Sequence, residues 1–249
     1  MLNLDKIKKT FTSNGFVKIE KLFTKKEVDE IINEIEKVKI KSFKIKNPNM
    51  HLTKDKKINT IHNINTYVKK GPIIKLSKSK KILSIVNKIL DEKSNVRNIE
   101  FFFKPKKTGM KSPFHQDNYY WNIANKKALN VWIACSPSSN KNGGVCYIEG
   151  THKNGLLKHT ISYNAGSSQK IPEKTLHKIK LKKSYPNLLP GDCIFHHCEV
   201  VHGSSQNKSN KDRVGLVISY KGKSARLNLK SYKNYKKMLK KNISFLKLN

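Results

Sequence analysis

The sequence has no long apolar stretch, and no run approaches the roughly 18 residues that a membrane span requires. Its start, MLNLDKIKKTFTSNGF, carries Asp5 and no apolar block before a small-residue cleavage site, so no signal peptide is expected. Cysteine is sparse: Cys135, Cys146, Cys193 and Cys198 lie in apolar segments without a framework spacing. That pattern excludes a disulfide scaffold and fits reduced thiols in a cytosolic protein. Acidic residues are few, 17 against 52 basic ones, for a net charge of +35. Arginine is scarcer still, with only Arg97, Arg213 and Arg226 among those 52. Sequence-specific nucleic-acid readers depend on arginine for two-point base contacts. Here the lysines are dispersed along the chain beside many asparagines and isoleucines. They predict a solvated lysine surface and no specific nucleic-acid partner.

The 249 residues suffice for one large domain with a core. Residues 4–13 predict a short helix that stops at Asn14-Gly15, and GFVKIEKLF predicts a strand. In TKKEVDEIINEIEKV, Thr24 and Glu27 have capping-box spacing. Val28, Ile31, Ile32, Ile35 and Val38 share one helical face. Residues 40–75 are polar and weakly patterned, as a long connection or flap would be. KILSIVNKIL (81–90) is a second amphipathic helix. After residue 95 the character changes to short runs rich in β-branched and aromatic residues, bounded by Gly, Pro, Asn and Ser. They predict strands. The expected class is α+β and mainly β: a single domain over 1–249, with helical support in 1–94, a sandwich or barrel core in 95–225 and a basic helix in 226–249. Residues 152–188 show no clear period and read as a long loop, either a functional lid or disordered. The basic tail is read as packing on the core, with binding at a membrane surface as the alternative.

Chemistry concentrates in PFHQDNYYW, Pro113–Trp121. In a strand, residues i and i+2 point to one face, so His115 and Asp117 would present an imidazole and a carboxylate side by side. One more histidine would complete two His and one carboxylate, the donor set of non-haem Fe(II) oxygenases. His196, His197 and His202 all stand in the later segment LPGDCIFHHCEVVHGSSQNKSNKDR. Cys193, His196, His197 and Cys198 superficially resemble a zinc site. Zinc motifs pair their ligands around loops, however, and this segment reads as an apolar strand. Arg213 follows His202 by eleven residues at the start of an apolar strand, and an arginine buried there needs an anion. Tyr119, Tyr120 and Trp121 abut the candidate ligands and are candidates for a substrate wall, with packing as the alternative.

At these residues the chain resembles the phytanoyl-CoA dioxygenase family of Fe(II)/2-oxoglutarate-dependent oxygenases. The opening NGFVKIEKLFTKKEVDEI, the stretch FFFKPKKTGMKSPFHQDNYYW, the block LNVWIACSPSSNKNGGVCYIEGTHKNG and the distal PGDCIFHH…VHGSSQNKSNKDR all carry the resemblance. It implies a double-stranded β-helix, or jelly roll. It also implies that His115, Asp117 and His202 bind Fe(II), with O2 as oxidant. Arg213, assisted by Ser204, would hold the far carboxylate of 2-oxoglutarate, with Trp132 and Lys104 as further contacts. The expected reaction is hydroxylation of a small organic metabolite, with oxidative decarboxylation of 2-oxoglutarate to succinate; the alternatives are an oxygenase acting on nucleic acid or another polyanion, as the charge suggests, and a non-catalytic jelly-roll binding protein that has kept the motif. Related halogenating enzymes replace the carboxylate ligand with a small residue. Asp117 is present, so oxidation without halogenation is expected.

Overall fold

The computed structural model describes residues 2–164 and 166–248. Helix α1 (Leu4–Asn14) is capped by the Asn3 side chain, which accepts from Lys6 N, and it ends on Gly15 at φ 83°, a left-handed conformation suited to glycine. Strand β1 (Phe16–Ile19) follows. The Thr24–Glu27 capping box starts α2 (Lys25–Lys44), which buries Val28, Ile31, Ile35 and Val38. Next come β2 (Met50–Leu52), β3 (Ile58–Ile61), α3 (Pro72–Ser77) and α4 (Lys80–Leu90).

Residues 40–75 are therefore not one long connection. They hold the end of α2, a hairpin and α3. The hairpin strands have three and four residues, too short to show a period. What fixes β3 is pairing with the next strand, Thr60 opposite Phe102 and Ile61 opposite Phe101.

The strand-rich part runs through β4 (Ser94–Lys104), β5 (Ser112–His115), α5 (Asn118–Trp121), β6 (Ala128–Ala134), β7 (Val145–Ile148), β8 (Thr160–Asn164), β9 (Ser167–Lys170), α6 (Glu173–Leu176), β10 (Lys183–Ser184), β11 (Cys193–His197), β12 (His202–Ser204) and β13 (Arg213–Gly222). Helix α7 (Leu229–Leu248) closes the chain. The segment 152–188 thus contains the β8–β9 hairpin, α6 and β10.

Two sheets face each other. The larger has the order β1-β11-β6-β13-β4-β3-β2 and the smaller β10-β7-β12-β5. Their pairings are antiparallel. The β8–β9 hairpin lies beside β5, where Ile171 N donates to Phe114 O at 2.8 Å. This is a jelly roll with helices outside it.

Alternation sorts the larger sheet's side chains by face. Phe101, Ile133, Phe195, Leu216 and Ile218 pack against α1, α2 and α4 in the main core. Trp132, Ile194 and Val217 turn inward to meet Tyr147 of the smaller sheet. The interior between the sheets is where polar residues interrupt the apolar strands.

The tail helix packs across the open edge. The Tyr119 hydroxyl donates to Met238 Sδ at 3.2 Å, and Tyr235 stands edge-on to Tyr120 with ring centroids 5.7 Å apart. The Asn242 side chain accepts from Tyr163 N at 3.0 Å, and Phe245 meets the Tyr163 ring at 4.5 Å. Among the described residues, no helix is long and apolar enough to cross a membrane.

Candidate active site

His202 on β12 is the cross-strand partner of His115 on β5, and their rings lie 4.3 Å apart. Asp117 does not share the strand as expected. Strand β5 ends at His115, and Asp117 already has helical backbone (φ −59°, ψ −35°) as the first residue before α5. The turn is held by Gln116, whose amide donates to Gly155 O at 2.8 Å and Glu199 O at 2.7 Å and accepts from Leu157 N. The carboxylate still reaches both imidazoles. Its Oδ1 is 3.7 Å from His115 Nε2 and its Oδ2 is 3.8 Å from His202 Nε2. One donor atom from each of the three lies within 4.8 Å of the others.

Hydrogen bonds set which ring nitrogen is free. His115 Nδ1 donates to Pro113 O at 2.7 Å and His202 Nδ1 to Val200 O at 3.0 Å. Each Nε2 lone pair is left for a ligand. Burial pushes His202 down to about 3, against the pull of Asp117. Burial alone would raise the Asp117 carboxyl. His202, His115 and His196 outweigh it and hold the group well below the usual carboxylate range. Neutral imidazole and charged carboxylate are the states that bind metal. Two nitrogens and one oxygen in this arrangement fit Fe(II), with the remaining positions open.

A further layer holds the carboxylate. Asn130 Nδ2 donates to Asp117 Oδ2 at 2.8 Å, and Ser219 Oγ donates to Asn130 Oδ1 at 2.6 Å. His196 Nε2 lies 3.0 Å from the same Oδ2, while the Tyr147 hydroxyl meets His196 Nδ1 at 3.2 Å. His196 is therefore outside the trio but bonded to it. His197, next on β11, faces the opposite way. Its ring lies near Phe11 and His152, and its Nδ1 accepts from Glu199 N at 3.0 Å. Cys193 and Cys198 belong to separate apolar clusters, so no zinc set forms from this segment. Asn130 is a site residue that the sequence reading missed. The available signal was an amide in the middle of the apolar strand ALNVWIA, since a buried amide demands partners.

The trio opens on a cavity of about 90 Å³ that also reaches Arg213, Trp132, Ser204 and Lys104. Arg213 is 1% exposed. Its Nη2 donates to Gly143 O at 2.8 Å, whereas Nε and Nη1 are buried without a partner. The guanidinium lies 5.4 Å from the Trp132 ring. That ring occupies the space beside Gly215, where a Cβ would come within 2.3 Å of it. The close approach explains a glycine in the middle of a strand.

Lys104 is the cross-strand partner of Arg213, and its Nζ donates to Ser205 O. Burial, and then the charge of Arg213, push the Lys104 amine well below its ordinary value. Burial pushes Arg213 down to about 10. A buried guanidinium with two unmet donors is costly unless an anion joins it. A carboxylate fits this place.

Tyr119, Tyr120 and Trp121 do not line the cavity. The short α5 turns them away from the cavity, toward α7, Arg97 and the β8–β9 hairpin. Tyr119 stacks on His159 with centroids 4.1 Å apart, and the Tyr120 hydroxyl donates to Gln169 O at 3.1 Å. Trp121 is buried beneath the Arg97 guanidinium, 4.8 Å from its ring. Tyr120 touches the trio only through an edge contact with His115, centroids 5.7 Å apart. These aromatics pack behind the site and stand off the cavity lining.

A jelly roll that gathers two imidazoles, a carboxylate and a half-paired buried guanidinium around one cavity is an Fe(II)- and 2-oxoglutarate-dependent dioxygenase. The chain belongs to the phytanoyl-CoA dioxygenase (PhyH) family, whose model matches residues 11–215. It is 25% identical over 220 residues to a probable alpha-ketoglutarate-dependent hypophosphite dioxygenase of Stutzerimonas stutzeri, across 84% of this chain and 76% of that protein. It is 24% identical over 228 residues to the peroxisomal phytanoyl-CoA dioxygenase of Homo sapiens, across 86% of this chain and 67% of that one. The crystal structure of EctD from S. alaskensis with bound Fe shares the fold, with a TM-score of 0.76 at 17% identity, over 90% of this chain and 78% of that chain.

Proposed function

We propose that His115, Asp117 and His202 hold Fe(II), that Arg213 with Ser204 anchors the far carboxylate of 2-oxoglutarate, and that the protein hydroxylates a small organic metabolite. The observation that carries this reading is Arg213: two unpartnered nitrogens of a buried guanidinium open on the cavity that contains the trio. When bound there, iron supplies the oxidation in which O2 and 2-oxoglutarate yield succinate, CO2 and a hydroxylated substrate carbon.

The chain's own groups hold and orient. His115 and His202 offer Nε2 because their Nδ1 protons are committed to backbone carbonyls. Asp117 supplies the negative charge, and Asn130 and His196 fix its direction. Arg213 gives a carboxylate two-point contact that lysine could not. Lys104 adds a second nitrogen donor beside it, and Trp132 walls the guanidinium on one face.

The relatives' names point to substrates as different as hypophosphite and an acyl-CoA. Four buried free thiols suit a cytosolic location. The test is anaerobic addition of Fe(II) and 2-oxoglutarate, which should produce the visible charge-transfer band of a chelated complex. His202→Ala should abolish it. A screen for metabolites that stimulate succinate formation then identifies the substrate, and a band that survives His202→Ala would remove that ligand from the proposal.

A further inference from the structure

Among the described residues, the cavity wall carries two acidic side chains, Asp117 and Glu100. Asp117 is fully engaged by the imidazoles and Asn130. Glu100 takes no part in that network. It stands on the cavity face of β4, four residues before Lys104, so it lies roughly 13 Å along the strand from the Lys104–Arg213 end. Its Oε1 accepts from His62 Nδ1 at 2.8 Å and from Asn98 Nδ2 at 2.7 Å. Both bonds fall on Oε1, leaving Oε2 open; the side chain is 19% exposed, and the His62 contact is an ion pair when that imidazole is protonated. Arg97 senses the Glu100 charge, but its guanidinium lies over Trp121 and forms no ion pair with Glu100.

Beside Glu100 stands an unsatisfied group. Thr60, on the neighbouring strand β3, lines the same cavity, and its Oγ1 is buried without a partner. The hairpin at Gly166 closes over it: a Cβ there would lie 2.9 Å from Thr60 Oγ1 and 3.1 Å from the His51 ring. The cavity is thus electrically bipolar. Arg213, with Lys104 beside it, makes one end cationic, suited to the 2-oxoglutarate carboxylate. Glu100 makes the other end anionic in a chain with 17 acidic residues against 52 basic ones. A partly buried carboxylate with one free oxygen is best met by a charged donor.

We infer that Glu100 is the substrate-recognition residue of this oxygenase, and that its free Oε2, with Thr60 Oγ1 on the next strand, binds an ammonium group. The substrate class is then small amines, amino acids and polyamines. This deepens the proposed function and rests on the iron and 2-oxoglutarate reading of the same cavity.

The test uses the full chain with Fe(II) and 2-oxoglutarate. The anaerobic charge-transfer band is recorded first, and its absence from the wild type defeats the underlying reading, not the assignment of Glu100. Succinate formation in air is then measured with three probe sets: amino acids and short polyamines, hypophosphite with small carboxylates, and a short acyl thioester. Amines alone should stimulate. Glu100→Gln should lower kcat/KM for the best amine by about ten- to a hundredfold, the expected effect of losing a charged hydrogen bond, and mainly through KM. Glu100→Asp should recover part of the loss. Thr60→Val, which leaves the carboxylate in place, should raise KM for the same amine by a smaller factor. Stimulation by the anions or the thioester instead of the amines overturns the inference. So does a complete absence of amine stimulation while the band forms, or an unchanged KM in Glu100→Gln.

Discussion

His196 Nε2 lies 3.0 Å from Asp117 Oδ2, so a histidine that is not one of the trio fixes the direction of the trio's only carboxylate. The Tyr147 hydroxyl, 3.2 Å from His196 Nδ1, sets the ring so that Nε2 carries the proton. Partners of this kind typically cost about 10–100-fold in metal affinity when removed. His196→Ala should weaken Fe(II) binding by that range, with the charge-transfer band recovered at high iron. His197→Ala should leave iron affinity unchanged, because that ring faces Phe11 and His152. Titration of the band with Fe(II) distinguishes the two variants.

Arg213 makes a second prediction. Removing one member of a buried charge pair costs about 3–5 kcal/mol, equivalent to about two to three and a half orders of magnitude in affinity. Arg213→Ala should weaken 2-oxoglutarate binding to that degree, and Arg213→Lys should fall between. Iron binding without cosubstrate should survive in both, since Arg213 touches none of the trio. Unchanged 2-oxoglutarate affinity in Arg213→Ala would falsify its assignment as the anchor.

Acid should destabilise the fold through imidazoles outside the trio. Burial pushes His197 down to about 3 and His51 to about 4, from an ordinary value near 6.5. Between those limits the unfolded chain holds more protons than the folded one, so stability rises with pH. It is fully present above about pH 6.5 and is lost progressively as pH falls toward 4, each histidine adding a slope of up to about 1.4 kcal/mol per pH unit. Urea midpoints measured from pH 7.5 to pH 4.5 should show this decline. His197→Phe should make it shallower, whatever its effect at neutral pH. A slope equal to that of the unaltered protein would show that His197 does not contribute.

The +35 charge should be a bystander to catalysis. If lysines bind phosphates specifically, DNA affinity falls with salt at a log–log slope of about −0.9 per contact. At about 0.15 M salt the screening length is about 8 Å and diffuse attraction is largely gone. Succinate formation under those conditions should be indifferent to mixed oligonucleotides. A several-fold stimulation that requires intact His115 would count against a small-molecule substrate.

What the sequence discloses about this protein depends on whether the relevant spacing is local. The apolar faces of α2 and α4 are legible because four-residue contacts repeat over ten residues or more. The order His115, Asp117, His202, Arg213 is legible as chemistry, since few functions need that set together. The turn that carries Asp117 off the strand is not. Its cause is Gln116, gripped by Gly155, Leu157 and Glu199 from far along the chain. The supporting roles of Asn130 and His196 are hidden for the same reason, because they are bonds between strands. The β2–β3 hairpin is too short to show a period, and the outward turn of Tyr119–Trp121 depends on α7, more than a hundred residues later.

Helix α7 starts at Leu229, beyond residue 215, where the match to the family model ends. Yet it touches α5 at Tyr119 and Tyr120, and it touches β8 at Tyr163, in the hairpin whose Gly166 and Ser167 reach the cavity. The tail helix therefore bears on the cavity only at second hand, through the hairpin and the short helix that it props, and a change in α7 would be felt in the lie of that hairpin while the trio keeps its own bonds.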